Sequence, residues 1–143
     1  MNALRVTITG ATGLIGVGLV DALQKQGAEV TVLSRDPDRA RGRFAAGDSP
    51  SAAGDSPSVQ AVGWDLIGEP APLDALNGRD AVVHLAGENV AQRWTDKAKE
   101  AIRDSRVTGT RNLLAGLRQA EPRPRALIAG SAIGYYGARG DEP

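Results

Sequence analysis

The chain has 143 residues, enough to bury a core as one domain, and its 17 basic and 17 acidic side chains cancel to zero net charge. That balance argues against a nucleic-acid binder or an anionic-membrane binder. With no cysteine and a single histidine, a disulfide scaffold is excluded and a Cys/His zinc site is not available, so no metal is expected.

The first element is the apolar strand that runs from Leu4 to Thr9 and ends in Gly10. It is too short for a secretory signal, and no later run approaches the length of a membrane span, so a cytoplasmic location is the expectation. Three glycines follow at intervals of three, Gly10, Gly13 and Gly16, and a helix is predicted from Leu14 to about Gln26. Its expected packing stripe is Leu14, Ile15, Leu19, Ala22 and Leu23. Each glycine has its own physical task. Gly10 permits a tight exit from the strand, Gly13 lets backbone approach a pyrophosphate, and Gly16 lets the helix pack closely. The free N–H groups and positive dipole end of that helix suit phosphate. Strand before and helix after supply the context that a bare glycine pattern lacks.

Glu29 to Ser34 reads as a second strand, and Asp38 to Ala45 as a short helix. Arg35 closes the second strand. An acid there would accept hydrogen bonds from a ribose 2′-hydroxyl, whereas arginine suits a 2′-phosphate, which leans the cofactor toward NADP. Asp36 is one position on and leaves NAD possible. Residues 45–51 read AAGDSPS and residues 52–58 repeat them without change. That composition cannot build a core, so 45–58 is expected to be a disordered loop inserted between strands. Val59 to Trp64 is the third strand. Asp65 and Leu66 follow it, placed to meet an adenine amino group and ring, with a loop-capping role for Asp65 left open.

Leu73 to Leu76 reads as a helical turn and Asp80 to Ala86 as a fourth, fully buried strand. His84, within it, reads as a packed core histidine. Trp94 is expected to anchor a long helix from Asp96 to Gln119, whose packing face is Ala98, Ala101, Ile102, Ser105, Gly109, Leu113 and Leu117. Arg125 to Gly130 is the fifth strand. Strands alternating with helices imply right-handed βαβ units and an α/β, Rossmann-type doubly wound parallel sheet of about five strands in the order 3-2-1-4-5. Gly10, Arg35, Asp65, Ala86 and Ser131 then all fall at the carboxyl ends of strands, where such sheets bind ligands.

The segments TGATGLIG (9–16), WDL (64–66), HLAGENV (84–90), DSRVTGTRNLL (104–114) and GSAIGYYGARGDEP (130–143) together resemble the short-chain dehydrogenase/reductase superfamily. More narrowly they are similar to its extended NAD-dependent epimerase/dehydratase branch, and to the atypical YfcH-like epimerase-family proteins within it. The resemblance implies a pyrophosphate turn at Gly10, Gly13 and Gly16 with Thr12, Leu14 and Ile15 around it. It implies that Leu85, Ala86 and Gly87 pass the adenine ribose and the nicotinamide side. It also implies that Ser131 hydrogen-bonds the substrate oxygen undergoing oxidation or reduction.

Two departures accompany it. Arg106 stands where extended members carry asparagine, away from the standard proton relay. The Tyr-x-x-x-Lys acid/base pair of the family belongs some tens of residues beyond Ser131, and Tyr135-Tyr136 matches instead the Tyr-Gly after the serine. The resemblance therefore implies that residues 1–143 form an N-terminal cofactor-binding half with an uncovered fifth strand. NAD(P)-dependent chemistry on a nucleotide-sugar-like or other hydroxy/carbonyl substrate is the leading expectation. A non-catalytic NAD(P)-binding sensor or scaffold, and an inactive fragment, are the alternatives.

Overall fold

The computed structural model describes residues 2–45 and 59–131. Five strands, β1 (Arg5–Thr9), β2 (Glu29–Ser34), β3 (Gln60–Gly63), β4 (Ala81–His84) and β5 (Ala126–Ala129), form one parallel sheet in the order β3-β2-β1-β4-β5. Three α-helices join them, α1 (Leu14–Lys25), α2 (Pro37–Ala45) and α3 (Asp96–Gln119), and a 3-10 turn spans Leu73–Ala75. This is the Rossmann-type doubly wound arrangement, with its order reversing between β1 and β4. The AAGDSPS repeat lies outside the described residues except for Ala45, the last residue of α2.

Side chains alternate across the sheet with the strand period of two. Val6, Ile8, Val30, Val32 and Val83 face α1 and α2, where they pack with Val20 and Ala40. Leu33 and Val82 face the other way and meet Leu76, Leu113 and Leu117. On this second face Thr7 and Thr9 are buried, and Thr7 donates its hydroxyl hydrogen bond to the Ala75 carbonyl. A buried hydroxyl needs such a partner, so the turn at Leu73–Ala75 serves the sheet as well as the chain.

The packing face of α1 differs from the expected stripe. Leu14 and Ile15 are 95% and 72% exposed, and Ala22 is exposed too. Gly16 and Val20 are buried in their place, with Leu19 and Leu23 packed beside them. Periodicity alone could not separate these phases, because apolar residues occur on both sides of the first turn. The first turns of α3 likewise overhang the core. Ala101 is exposed, and burial begins at Ser105 and runs through Gly109, Leu113, Gly116 and Leu117. Trp94 does not anchor this helix. It is 61% exposed and donates its indole N–H to the Val90 carbonyl. Thr95 begins the helix instead, its hydroxyl accepting from the Ala98 N–H at 3.1 Å.

All four residues of β5 are exposed. Leu127 and Ile128 stand in solvent, and among the described residues nothing pairs with the outer edge of the strand.

Candidate functional site

A cleft of about 970 Å³ opens along the carboxyl ends of the strands. The turn after β1 forms its centre. Gly10 has φ +70°, a conformation that side chains resist. A Cβ there would lie 2.6 Å from the Leu85 carbonyl carbon and 2.7 Å from the Ala86 nitrogen. A Cβ on Gly16 would lie 2.5 Å from the Gly10 oxygen. The two glycines thus press turn, helix and β4 together. Gly13 is exposed, and no side chain caps the helix it begins. The first N–H groups of α1 therefore have neither an intrahelical acceptor nor a side-chain cap, which suits an anionic group.

Gly10, Thr12, Gly13, Arg35, Asp65, Leu66, Leu85, Ala86 and Gly87 all line the cleft, as the sequence placed them. Leu14, Ile15 and Gly16 do not line it, and Gly16 is buried behind the turn. Ser131 lies two residues past β5, exposed and outside the lining. Arg39 and Arg43, which belong to none of the sequence motifs, line the cleft beside Arg35. Their spacing of four on α2 puts them on one helix face and was the available signal. Asp36 also lines the cleft, but one of its carboxylate oxygens accepts from the Arg39 N–H at 2.9 Å and caps α2.

Two loops wall the cleft, and α3 holds both. In the loop after β3, Asp65 accepts from the Ile67 N–H at 3.3 Å, the turn-forming role left open for it. Leu66 wedges against Gly109, where a Cβ would come within 2.6 Å of its Cγ. Asn112 donates to the Leu66 carbonyl at 3.0 Å and accepts, through its own carbonyl, from the Ala71 N–H at 3.1 Å. In the loop after β4, the Ala86 N–H donates to the Thr9 hydroxyl at 3.2 Å, and the Glu88 N–H donates to the Ser105 hydroxyl at 2.9 Å.

His84 is 6% exposed and sits between two hydroxyls, with Nδ1 2.7 Å from Thr9 Oγ1 and Nε2 3.3 Å from Thr110 Oγ1. Burial holds its pKa below the usual value near 6.5 by penalising the cation. As pH falls, the unfolded chain takes up this proton before the folded one. The contribution to stability is complete above about 6.5 and is lost as pH drops through the lower folded value. The thermal midpoint is therefore expected to fall between about pH 7.5 and about pH 5.5, and His84→Gln is expected to flatten that slope. An unchanged slope in His84→Gln would remove the histidine from the account.

Among the described residues there is no cluster of three potential metal ligands, and no helix is long and apolar enough to cross a membrane.

A doubly wound sheet with a glycine turn at its switch point defines the Rossmann class. The chain belongs to the NAD dependent epimerase/dehydratase family, whose model matches residues 6–143. It is 34% identical over 138 residues to the chloroplastic epimerase family protein SDR39U1 homolog of Arabidopsis thaliana, covering 95% of this chain and 36% of that protein. It is 31% identical to the epimerase family protein YfhF of Bacillus subtilis, covering 94% and 39%. Among solved structures it is similar to human SDR39U1 isoform 2 with NADPH, at 29% identity and TM-score 0.66, covering 93% of this chain and 38% of that one. It is similar also to MoeE5 in complex with UDP-glucose and NAD, at 27% identity and TM-score 0.66, again covering 93% and 38%. The chain thus spans little more than a third of the length of these relatives, less than the half that the sequence resemblance implied.

Proposed function

We propose that this chain binds NADP(H), with the pyrophosphate on the turn at Gly10, Thr12, Gly13, Leu14, Ile15 and Gly16 and the adenosine half toward Arg35, Asp65 and Leu66. The observation that carries the reading is the uncapped start of α1 behind a turn where neither Gly10 nor Gly16 admits a Cβ. The NADPH-bound human relative and the NAD-bound MoeE5 support a nicotinamide dinucleotide. Arg35 and the arginines beside it support the 2′-phosphorylated form. Leu85, Ala86 and Gly87 flank the other half of the cofactor.

The proposed activity is that of an epimerase/dehydratase or reductase on a nucleotide-sugar-like or other hydroxy/carbonyl compound. The UDP-glucose of MoeE5 supports that substrate class. The nicotinamide, when bound, exchanges hydride with the substrate. Ser131 donates a hydrogen bond to the substrate oxygen in this reading. It lies two residues beyond Ala129, as Ala86 lies two beyond Ala129's partner His84, and this shared register supports the reading.

A non-catalytic sensor or scaffold is the second reading. The observation in its favour is Arg106, whose side chain carries donors only and cannot accept a hydrogen bond where the asparagine of the family's relay can. NADPH oxidation with UDP-sugars or simple carbonyls separates the two. Cofactor binding itself is tested by calorimetric titration of the 143-residue chain with NADPH and NADH. Saturable binding with NADPH preferred is the expected result. No heat from either ligand up to about 1 mM would sink the proposal.

A further inference from the structure

The loop after β4 is held to α3 by two adjacent residues that meet it at one residue, Glu88. The Ser105 hydroxyl accepts from the Glu88 N–H at 2.9 Å and donates to the Ile102 carbonyl at 3.0 Å. Arg106 Nη1 donates to the Glu88 carbonyl at 3.1 Å and to the Ile102 carbonyl at 3.2 Å. Both polar groups of Glu88's backbone are thereby fixed to the same turn of one helix.

Gly87 completes the arrangement. A Cβ built there would stand 3.3 Å from the Arg106 Cζ and 3.4 Å from each of Nη1 and Nη2. Near-equal distances to three atoms of a planar group place that Cβ over the guanidinium face. The guanidinium therefore lies flat beneath Gly87, and a methyl there would press it back by a few tenths of an ångström. A planar, five-donor group fills this place, and a lysine ammonium would reproduce the charge without the stacking.

We propose that Ser105 and Arg106 form a clamp that positions the Leu85–Glu88 loop for the nicotinamide half of the dinucleotide, with Arg106 as a positioning residue in the place of the family's asparagine. The proposal rests on the cofactor reading above. The direction follows from the sheet. Arg35 stands at the end of β2 and the clamp beyond β4, on opposite sides of the β1 turn. With pyrophosphate at that turn, the adenosine half extends toward β2 and β3, and the other half toward β4 and β5. Loosening the loop then weakens ligands that reach past the turn more than ligands that stop at it.

The test compares NADPH with adenosine 2′,5′-bisphosphate, which covers the adenosine half alone, by calorimetric titration of the 143-residue chain. Arg106→Ala is expected to weaken NADPH about tenfold and the bisphosphate by less than about twofold. Arg106→Lys is expected to behave like Arg106→Ala. Equal weakening of both ligands would mark general damage and overturn the clamp, as would unchanged NADPH affinity or full rescue by lysine. If the wild-type chain binds neither ligand, the cofactor reading itself falls and takes the clamp with it. Wild-type binding without an Arg106 effect removes the clamp alone.

Discussion

Gly10→Ala is expected to cost the protein about 3–5 kcal/mol, the range of a substitution that forces backbone apart. Two penalties add. The residue has φ +70°, where an L side chain loses about 1–2 kcal/mol relative to glycine. The larger penalty is steric, since the new methyl would lie 2.6 Å from the Leu85 carbonyl carbon, 2.7 Å from the Ala86 nitrogen and 2.8 Å from the Leu85 oxygen. All three are backbone atoms at the end of β4, and none can rotate away. Relief requires β1 and β4 to separate where Leu85 N–H donates to the Thr9 carbonyl and Ala86 N–H to the Thr9 hydroxyl. Against a typical total of about 5–15 kcal/mol, such a loss leaves a marginal fold. Urea unfolding followed by circular dichroism measures it. Gly18→Ala is the matched control. Gly18 lies in α1 with nothing within 4 Å of a built Cβ, so alanine there is expected to add about 0.5–1 kcal/mol through helix propensity. A Gly10→Ala midpoint equal to the wild type would contradict the close approach of turn and β4.

That contact also explains how far the site was legible. Glycine spacing, strand patterning and the residues at strand ends lie close together in the chain, and they located the turn, Arg35, Asp65 and the β4 wall. The strand order followed from alternation and handedness. Long-range contacts were less visible. Gly109 reads as an ordinary small helix residue until Leu66 is found wedged on it, 43 positions earlier in the chain. Ser105 and Arg106 read as packing and as a departure from family pattern, and their shared target at Glu88 appears only when loop and helix meet. The matched segment DSRVTGTRNLL thus has a physical content that its sequence does not display, since it holds both loops that wall the cleft. The phase of α1 failed for a related reason. Leu14 and Ile15 are apolar at helical spacing, but the close packing of Gly16 turns them outward.

The proposed preference for NADP rests on the residues after β2, and its expected effect is comparably large. Arg35→Ala should weaken NADPH about 10–100-fold while changing NADH by less than about threefold, because charge-assisted hydrogen bonds to phosphate contribute about 1.5–3 kcal/mol. Asp36 is the residue that could oppose this, since a carboxylate at the strand end can accept from both ribose hydroxyls. Its Oδ1 instead accepts from the Arg39 N–H, and the Ser34 hydroxyl accepts from its own N–H at 3.1 Å. This seats Asp36 as the cap of α2, and turning the carboxylate to a ribose would uncap the helix at a cost of about 1 kcal/mol. Asp38, the next acid, pairs with Arg41, and neither lines the cleft. The cleft at this end therefore presents Arg35, Arg39 and Arg43 against a carboxylate already engaged by the helix. Arg39→Ala is expected to weaken NADPH less than Arg35→Ala, and added salt should reduce NADPH affinity more than NADH affinity by screening the extra phosphate charge. Calorimetric titration of both cofactors at two ionic strengths measures all of these. Equal losses for NADPH and NADH in Arg35→Ala would show that this arginine supports the cleft wall without reading the 2′-phosphate. Tighter NADH binding by the wild type would assign the recognition to Asp36.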